Sequence, residues 1–245
     1  MNAQSTTNDA IMSLYHVRQA LGYLGLALPV ILIFGGVLMQ GQICSGTLAE
    51  PNTICPSISD TFHSPLREIF VGTMCAIGVF LFAYKGYEKQ QGEFLSDAML
   101  ARIAGASAIL VALFPVGGGQ DVALSLTQSI LGKTLTQYVH FASALTFFAC
   151  LAVFCLVKFP NTNTVSRRWI YRLCGKLIVV GLIGIVASFL VKQFGSPAAE
   201  IWVISWDTVF WAEAIGVWAF AFSWLVKGKA DVSIGHQIRK MLKRG

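Results

Sequence analysis

Apolar and polar residues alternate along this chain on the scale of whole helices. Six runs, near residues 20–40, 67–87, 99–118, 137–158, 174–194 and 207–227, are each about twenty residues long and almost free of charge. Roughly 20 helical residues cross about 30 Å of hydrocarbon. The pattern therefore predicts an all-α polytopic membrane protein, a six-transmembrane-helix bundle. Pro29 and the pair Gly35–Gly36 fall inside the first run, where a membrane helix tolerates them if neighbours satisfy the freed backbone groups. The third run, LARIAGASAILVALFPV, is rich in small residues and predicts a closely packed interior helix. The fifth, with Gly181, Gly184, Ala187 and Ser188, predicts the same kind of packing.

Composition supports the membrane reading. Apolar residues make up 55% of the 245 and charged residues only 12%, too little charge to clothe a soluble globule of this size. One six-helix domain over residues 1–228 is expected, followed by a basic tail at 229–245. The net charge of +6 sits in segments flanking the runs, so it reads as topogenic and implies no nucleic-acid partner. Arg18; Lys85, Lys89 and Arg102; Lys158, Arg167, Arg168, Arg172 and Lys176; and Lys227, Lys229, Arg239, Lys240, Lys243 and Arg244 fall on alternate connections. The other connections share Arg67, Lys133 and Lys192. This alternation predicts cytoplasmic N and C termini, in a bacterial inner membrane. In the tail, Ile234, Ile238, Met241 and Leu242 stand at helical spacing opposite several bases, which suits either an amphipathic segment on an anionic leaflet or a solvated tail. The N-terminus lacks a basic start and an Ala-x-Ala site, so no cleaved signal peptide is expected.

The connections on the outer side hold the remaining signals. Residues 41–66 carry Cys44 and Cys55, which in a non-cytoplasmic loop point to a disulfide across it, two free thiols being the alternative. Cys75, Cys150, Cys155 and Cys174 lie in or beside apolar runs and read as small buried side chains. Ser64 before Pro65 predicts a helix start, with a side-chain cap and then a residue that has no N–H to satisfy. Leu124, Leu126 and Ile130, with Val122, give the third connection the apolar face of a short interfacial or re-entrant helix. Trp202 and Trp206 read as interface anchors.

Ionisable groups are costly in hydrocarbon and tend to face the bundle interior. They gather here at one depth. Glu68 lies about a turn into the second helix, His140 near the outer start of the fourth, Asp207 at the start of the sixth, and Glu213 about 9 Å deeper at helical rise. Ser59, Asp60 and His63 hang above the second helix. Glu68, Gly72 and Ala76 share a helix face, as do His140, Ser143 and Ala144, leaving room for a polar pocket. Arg67 offers a salt partner for Glu213 or Asp207, or snorkels to the interface. Asp207 also reads as a helix N-cap, His140 as a packing residue, and Asp60 and His63 as loop caps.

Several chemistries fit poorly. The Ser, Asp and His set is superficially similar to intramembrane hydrolases of the alkaline ceramidase and adiponectin-receptor type, but the sixth helix has no histidine. Zinc needs three or four protein ligands and would have to recruit Glu68 or Glu213, so it is disfavoured. Haem b would need facing histidines. Phosphate-binding glycine motifs are absent.

The stretches SISDTFHSPLREIFVG, FLFAYKGYE, AGASAILVALFP, VHFASALTFF and WAEAIGVWAFAFSWLVKG resemble motifs of an uncharacterised bacterial six-helix membrane family, a domain of unknown function. That family is similar in layout to the eukaryotic DRAM/Frag/Sfk class, which includes a factor for remodelling GPI-anchor lipids. The resemblance implies an outward-facing polar site near Ser59, Asp60, Glu68, His140 and Glu213, and brings no activity with it.

The leading expectation is an outer-half pocket that binds or modifies a lipid or another amphiphile. Glu213 and Glu68 form its polar centre, His140 carries protons, and Ser59, Asp60, His63, Arg67 and Asp207 contact the ligand. Membrane lipids are the expected partners. A proton- or cation-coupled transporter component, and a scaffold that packs against a protein partner or a second copy, are the alternatives.

Overall fold

A computed structural model describes residues 3–39, 54–87, 89, 93–117, 123–161 and 165–228. Cys44, Val122 and the basic tail 229–245 lie outside the described residues, and with them the expectations that rest on those positions. All regular structure among the described residues is helical. The chain runs through α1 (Ala3–Leu38), a 3-10 turn (Ser59–His63), α2 (Arg67–Ala83), α3 (Asp97–Leu113), α4 (Leu126–Leu131) and α5 (Lys133–Val153). A π-helical turn (Phe154–Lys158) and α6 (Phe159–Asn161) prolong α5, and α7 (Val165–Phe194), α8 (Pro197–Ser205) and α9 (Thr208–Lys227) follow.

Leu14–Leu38, Lys133–Asn161, Arg167–Phe194 and Thr208–Lys227 are long and apolar enough to cross a bilayer, which makes this a multi-pass integral membrane protein. The six longest helices form a closed ring: α1 packs on α2, α2 on α3, α3 on α5, α5 on α7, α7 on α9, and α9 back on α1. Between them runs one apolar core.

Small residues set the closest approaches, because dispersion and backbone proximity replace the hydrophobic effect inside a membrane. A Cβ on Gly78 would sit 2.9 Å from the Gly105 carbonyl oxygen, and one on Gly105 would sit 2.7 Å from that of Gly78, so α2 and α3 touch backbone to backbone. On α3, Ala101, Ala104, Ala108 and Ala112 are fully buried. A Cβ on Gly181 would lie 2.6 Å from the Ala212 carbonyl oxygen, at the contact of α7 with α9.

One expected helix start needs correction, and at another the capping residue differs. α1 begins well before the expected residue 20, because polar residues extend a helix that hydropathy alone would end at the membrane. Arg18 is therefore a buried helical residue, 1% exposed, and not part of a solvated flank. α2 begins at Arg67, with Leu66 in the capping position. Ser64 still acts as a cap, but one turn earlier: its hydroxyl accepts the Leu66 N–H at 3.1 Å and donates to the Thr61 carbonyl.

Candidate functional site

The residues before α2 are fastened across one end of the ring. Phe210 N–H, in the first turn of α9, donates to the Pro56 carbonyl at 3.1 Å. Ile58 N–H donates to Oε2 of Glu213 at 2.6 Å, and the Ser59 backbone N–H and hydroxyl also face this carboxylate. A backbone N–H has to find an acceptor where water is scarce, and Glu213 supplies one from inside α9. Its side chain is buried, at 8% exposure. Cys55, just before these contacts, is disulfide-bonded.

Once the loop is fixed, the 3-10 turn points Ser59 at α5. Ser59 Oγ lies 3.0 Å from Nε2 of His140, whose Nδ1 lies 2.7 Å from the Phe114 carbonyl oxygen. A carbonyl only accepts, so Nδ1 carries a proton. In the neutral ring Nε2 is then an acceptor for the Ser59 hydroxyl, whose single proton lies between this nitrogen and the Glu213 carboxylate that it also faces. His140 is 2% exposed and its orientation is set from both sides.

Ser57, Ser59, His140 and Glu213 are the polar part of the wall of a cavity of about 60 Å³. The rest is apolar, drawn mainly from α5 (Phe141, Ala144, Leu145, Phe148) and α7 (Leu182, Ile185). Leu145 is 41% exposed, so this wall reaches the outer surface of the bundle. A second cavity of about 30 Å³ shares Ser59 and Glu213 and is otherwise lined mostly by apolar residues, among them Phe70, Met74 and Phe147. Ser59 and Glu213 thus stand between two small, largely apolar spaces.

The other expected site residues fall around this centre. Asp60 accepts the Ser57 hydroxyl at 2.8 Å, and Ser57 Oγ accepts the Asp60 N–H at 2.9 Å. Burial holds the Asp60 carboxyl above its ordinary range, against the lowering influence of Ser57, Lys192 and His63. His63 donates Nε2–H to the Val116 carbonyl at 2.8 Å and meets Phe62 edge-on, so it ties the turn to the end of α3. Asp207 occupies the N-cap position of α9 but adopts left-handed backbone (φ 45°) and makes no capping hydrogen bond. Its Oδ1 is buried without a partner among the described residues, and burial raises its carboxyl above the usual range.

Glu68 and Arg67 do not join the centre. Both are exposed, because α2 turns Phe70, Met74, Ile77 and Leu81 inward. The face holding Glu68 and Gly72 points away, and nothing lies within 4 Å of where a Gly72 Cβ would be. Glu68 is therefore not part of the polar centre. The Arg67 guanidinium sits 4.1 Å from the centre of the Phe62 ring, a cation–π contact in place of the expected pairing with Glu213 or Asp207. No three His, Cys, Asp or Glu side chains converge as a metal site among the described residues.

A second polar cluster, at the opposite end of α9, was not anticipated. Arg18 Nη2 donates to the Tyr84 hydroxyl at 2.9 Å, and the guanidinium also lies within 6.0 Å of the Tyr15, Tyr84 and Tyr87 ring centres. Lys227 Nζ is 5.2 Å from the Tyr87 and Phe159 rings and 5.8 Å from Tyr171. On the π-helical turn, Lys158 pairs with Glu93 at 2.8 Å and Asp97 at 3.6 Å and donates to the Leu95 carbonyl. Sequence reasoning took these cations for flanking topogenic charge. The overlooked signal was the aromatic set Tyr84, Tyr87, Phe159 and Tyr171 at the same helix ends, whose rings face Arg18 and Lys227.

No curated protein and no solved structure matches the chain. Residues 35–226, which include α2 to α8, the turn bearing Ser59 and nearly all of α9, match the model of a protein family of unknown function, DUF998. With most of its length inside that match, the chain belongs to the DUF998 family.

Proposed function

We propose that this protein binds a lipid or similar amphiphile, with the polar end of the ligand at Ser59, His140 and Glu213 and its apolar chain along α5 and α7. One observation carries the reading. A buried carboxylate, an imidazole and a hydroxyl open together onto a cavity whose other walls are almost all apolar and reach the lipid-facing surface. Ligand sites are typically apolar concavities with a few convergent polar groups, and ionisable groups at membrane depth are functional candidates.

In this reading all six long helices cross the membrane as one domain over residues 1–228. α2 and α3, at 17 residues each, are at the short end of what spans a bilayer. The termini lie in the cytoplasm of a bacterium and the site faces outward, as the lysine and arginine distribution predicts. Asp60 and His63 hold the loop above the ligand.

Native mass spectrometry of protein released gently from its own membrane, wild type beside Glu213→Gln, tests this. An amphiphile adduct on the wild type that is lost from the folded variant is expected. A wild type without adducts, or adducts indifferent to Glu213, would overturn the reading and favour transport or scaffolding.

A further inference from the structure

We infer that Ser59 is a nucleophile and His140 its general base, acting on the ester of a long-chain acyl group; this rests on the amphiphile reading above. The geometry is that of an activated hydroxyl. Ser59 Oγ and His140 Nε2 are 3.0 Å apart, and the Phe114 carbonyl fixes the ring with its lone pair toward the serine. A nucleophile within hydrogen-bond reach of a base, itself oriented by a third group, is the recurring arrangement for covalent acyl transfer.

Neighbouring hydroxyls show what is particular about Ser59. Ser57 is held by Asp60 through both its donor and its acceptor. Ser64 is engaged by the Thr61 carbonyl and the Leu66 N–H. Thr61 donates to the Ile58 carbonyl. Of these hydroxyls, Ser59 alone faces an imidazole nitrogen, and it lines both cavities. Glu213 is a positioning residue: it holds the Ile58 N–H and faces both the N–H and the hydroxyl of Ser59, so the nucleophile and the backbone around it are anchored to α9.

The walls choose the substrate. Phe141, Ala144, Leu145, Leu182 and Ile185 offer a methylene chain an apolar path out to the bilayer. The cavity of about 60 Å³ leaves room beside Ser59 for an ester carbonyl or a water, which needs roughly 10–15 Å³ by the same measure.

As Ser59 Oγ bonds to the ester carbon, its proton passes to His140 Nε2 and the carbonyl electrons move onto oxygen. The tetrahedral species collapses by breaking the bond to the alcohol oxygen, and the imidazolium returns the proton to that alcohol. Water then attacks the acyl-serine and gives its proton to His140. That proton returns to Ser59 Oγ as the acyl–serine bond breaks, releasing a fatty acid.

The test is full-length protein in nanodiscs, exposed to a long-chain alkyl fluorophosphonate and read by intact and peptide mass spectrometry. A single adduct on Ser59 is expected, absent from Ser59→Ala and formed at least about 100-fold more slowly in His140→Gln, the usual minimum contribution of a positioned base. Ser59→Ala removes only one hydroxyl, so it serves as the folded control should His140→Gln fail to fold. Folded wild type that keeps an amphiphile but takes no adduct, or an adduct that persists in Ser59→Ala, would overturn the nucleophile and leave the binding reading standing. Loss of both adduct and amphiphile from the wild type would overturn both.

Discussion

Replacing Glu213 with alanine should release the loop that carries Ser59 before it disturbs the rest of the bundle. The Ile58 N–H, 2.6 Å from Oε2, would lose its acceptor, and the Ser59 N–H would lose the carboxylate it faces. A buried donor left without an acceptor costs about 1–3 kcal/mol; with the Ile58 N–H orphaned and the Ser59 N–H deprived of a neighbouring carboxylate, the loss falls at the upper end, about 3 kcal/mol. For a chain of this size each kcal/mol moves the melting midpoint by roughly 2–4 °C, which gives a fall of about 6–12 °C. Glutamine keeps a carbonyl oxygen for the Ile58 N–H and should lose only about half as much. Tryptophan-fluorescence melting of detergent-solubilised protein reads the midpoint, and hydrogen exchange locates the effect. Exchange in residues 54–66 should quicken by about 100-fold, tenfold for every 1.4 kcal/mol, while the buried turns of α3 stay protected. Melting of Glu213→Ala at the wild-type temperature, or glutamine proving as damaging as alanine, would refute the anchoring role.

Three further outcomes follow from particular contacts. Tyr84→Phe removes the hydroxyl that Arg18 Nη2 donates to at 2.9 Å; hydrogen bonds to charged groups are worth about 1.5–3 kcal/mol, so a loss of several degrees in the same melting assay is expected, and an unchanged midpoint would show that the neighbouring rings suffice. Gly181→Leu places carbon against the Ala212 carbonyl, and overpacking of about 1–3 kcal/mol should separate α7 from α9, seen as reduced crosslinking between cysteines engineered into the two helices. For Asp60, burial raises the folded carboxyl above its unfolded value, so the folded protein binds more protons between the two. Stability should therefore be greatest below the ordinary carboxylate range and decline as pH rises through the raised value. Asp60→Asn should flatten that decline in melting profiles against pH, and a slope identical to wild type would argue against it.

Most of the scaffold was legible because long apolar runs follow from the energetics of the bilayer. The expected gathering of polar groups near one end placed Ser59, His140 and Glu213 in one neighbourhood. Their contacts were not legible. His140 and Ser59 are 81 positions apart, and which side chains meet depends on how each helix is rotated about its axis. Glu68 shows why rotation is hard to read. α2 offers a large apolar stripe at Phe70, Met74, Ile77 and Leu81 opposite a small-residue stripe at Gly72 and Ala76. In water the large stripe would plainly turn inward, but lipid solvates leucine and phenylalanine as well as a protein core does. Both rotations satisfied the pattern, and the carboxylate followed the wrong one. Arg18 was misplaced for a related reason: hydropathy marks where a helix is apolar, and α1 continues through residues that are not.

Between the two polar ends of the bundle lies an unbroken succession of aromatic rings. Phe148, on the cavity wall, meets Phe147 edge-on at 5.7 Å; Phe147 meets Phe220, Phe220 meets Trp224, and Trp224 meets Tyr84 at 4.9 Å, where the Arg18 hydrogen bond begins. Rings packed edge to face hold no acceptor chain along which a proton could hop and leave little space for water. In electrical terms the column is an insulator with a terminal at each end. The rings thus set the carboxylate of Glu213 apart from the cations at Arg18 and Lys227.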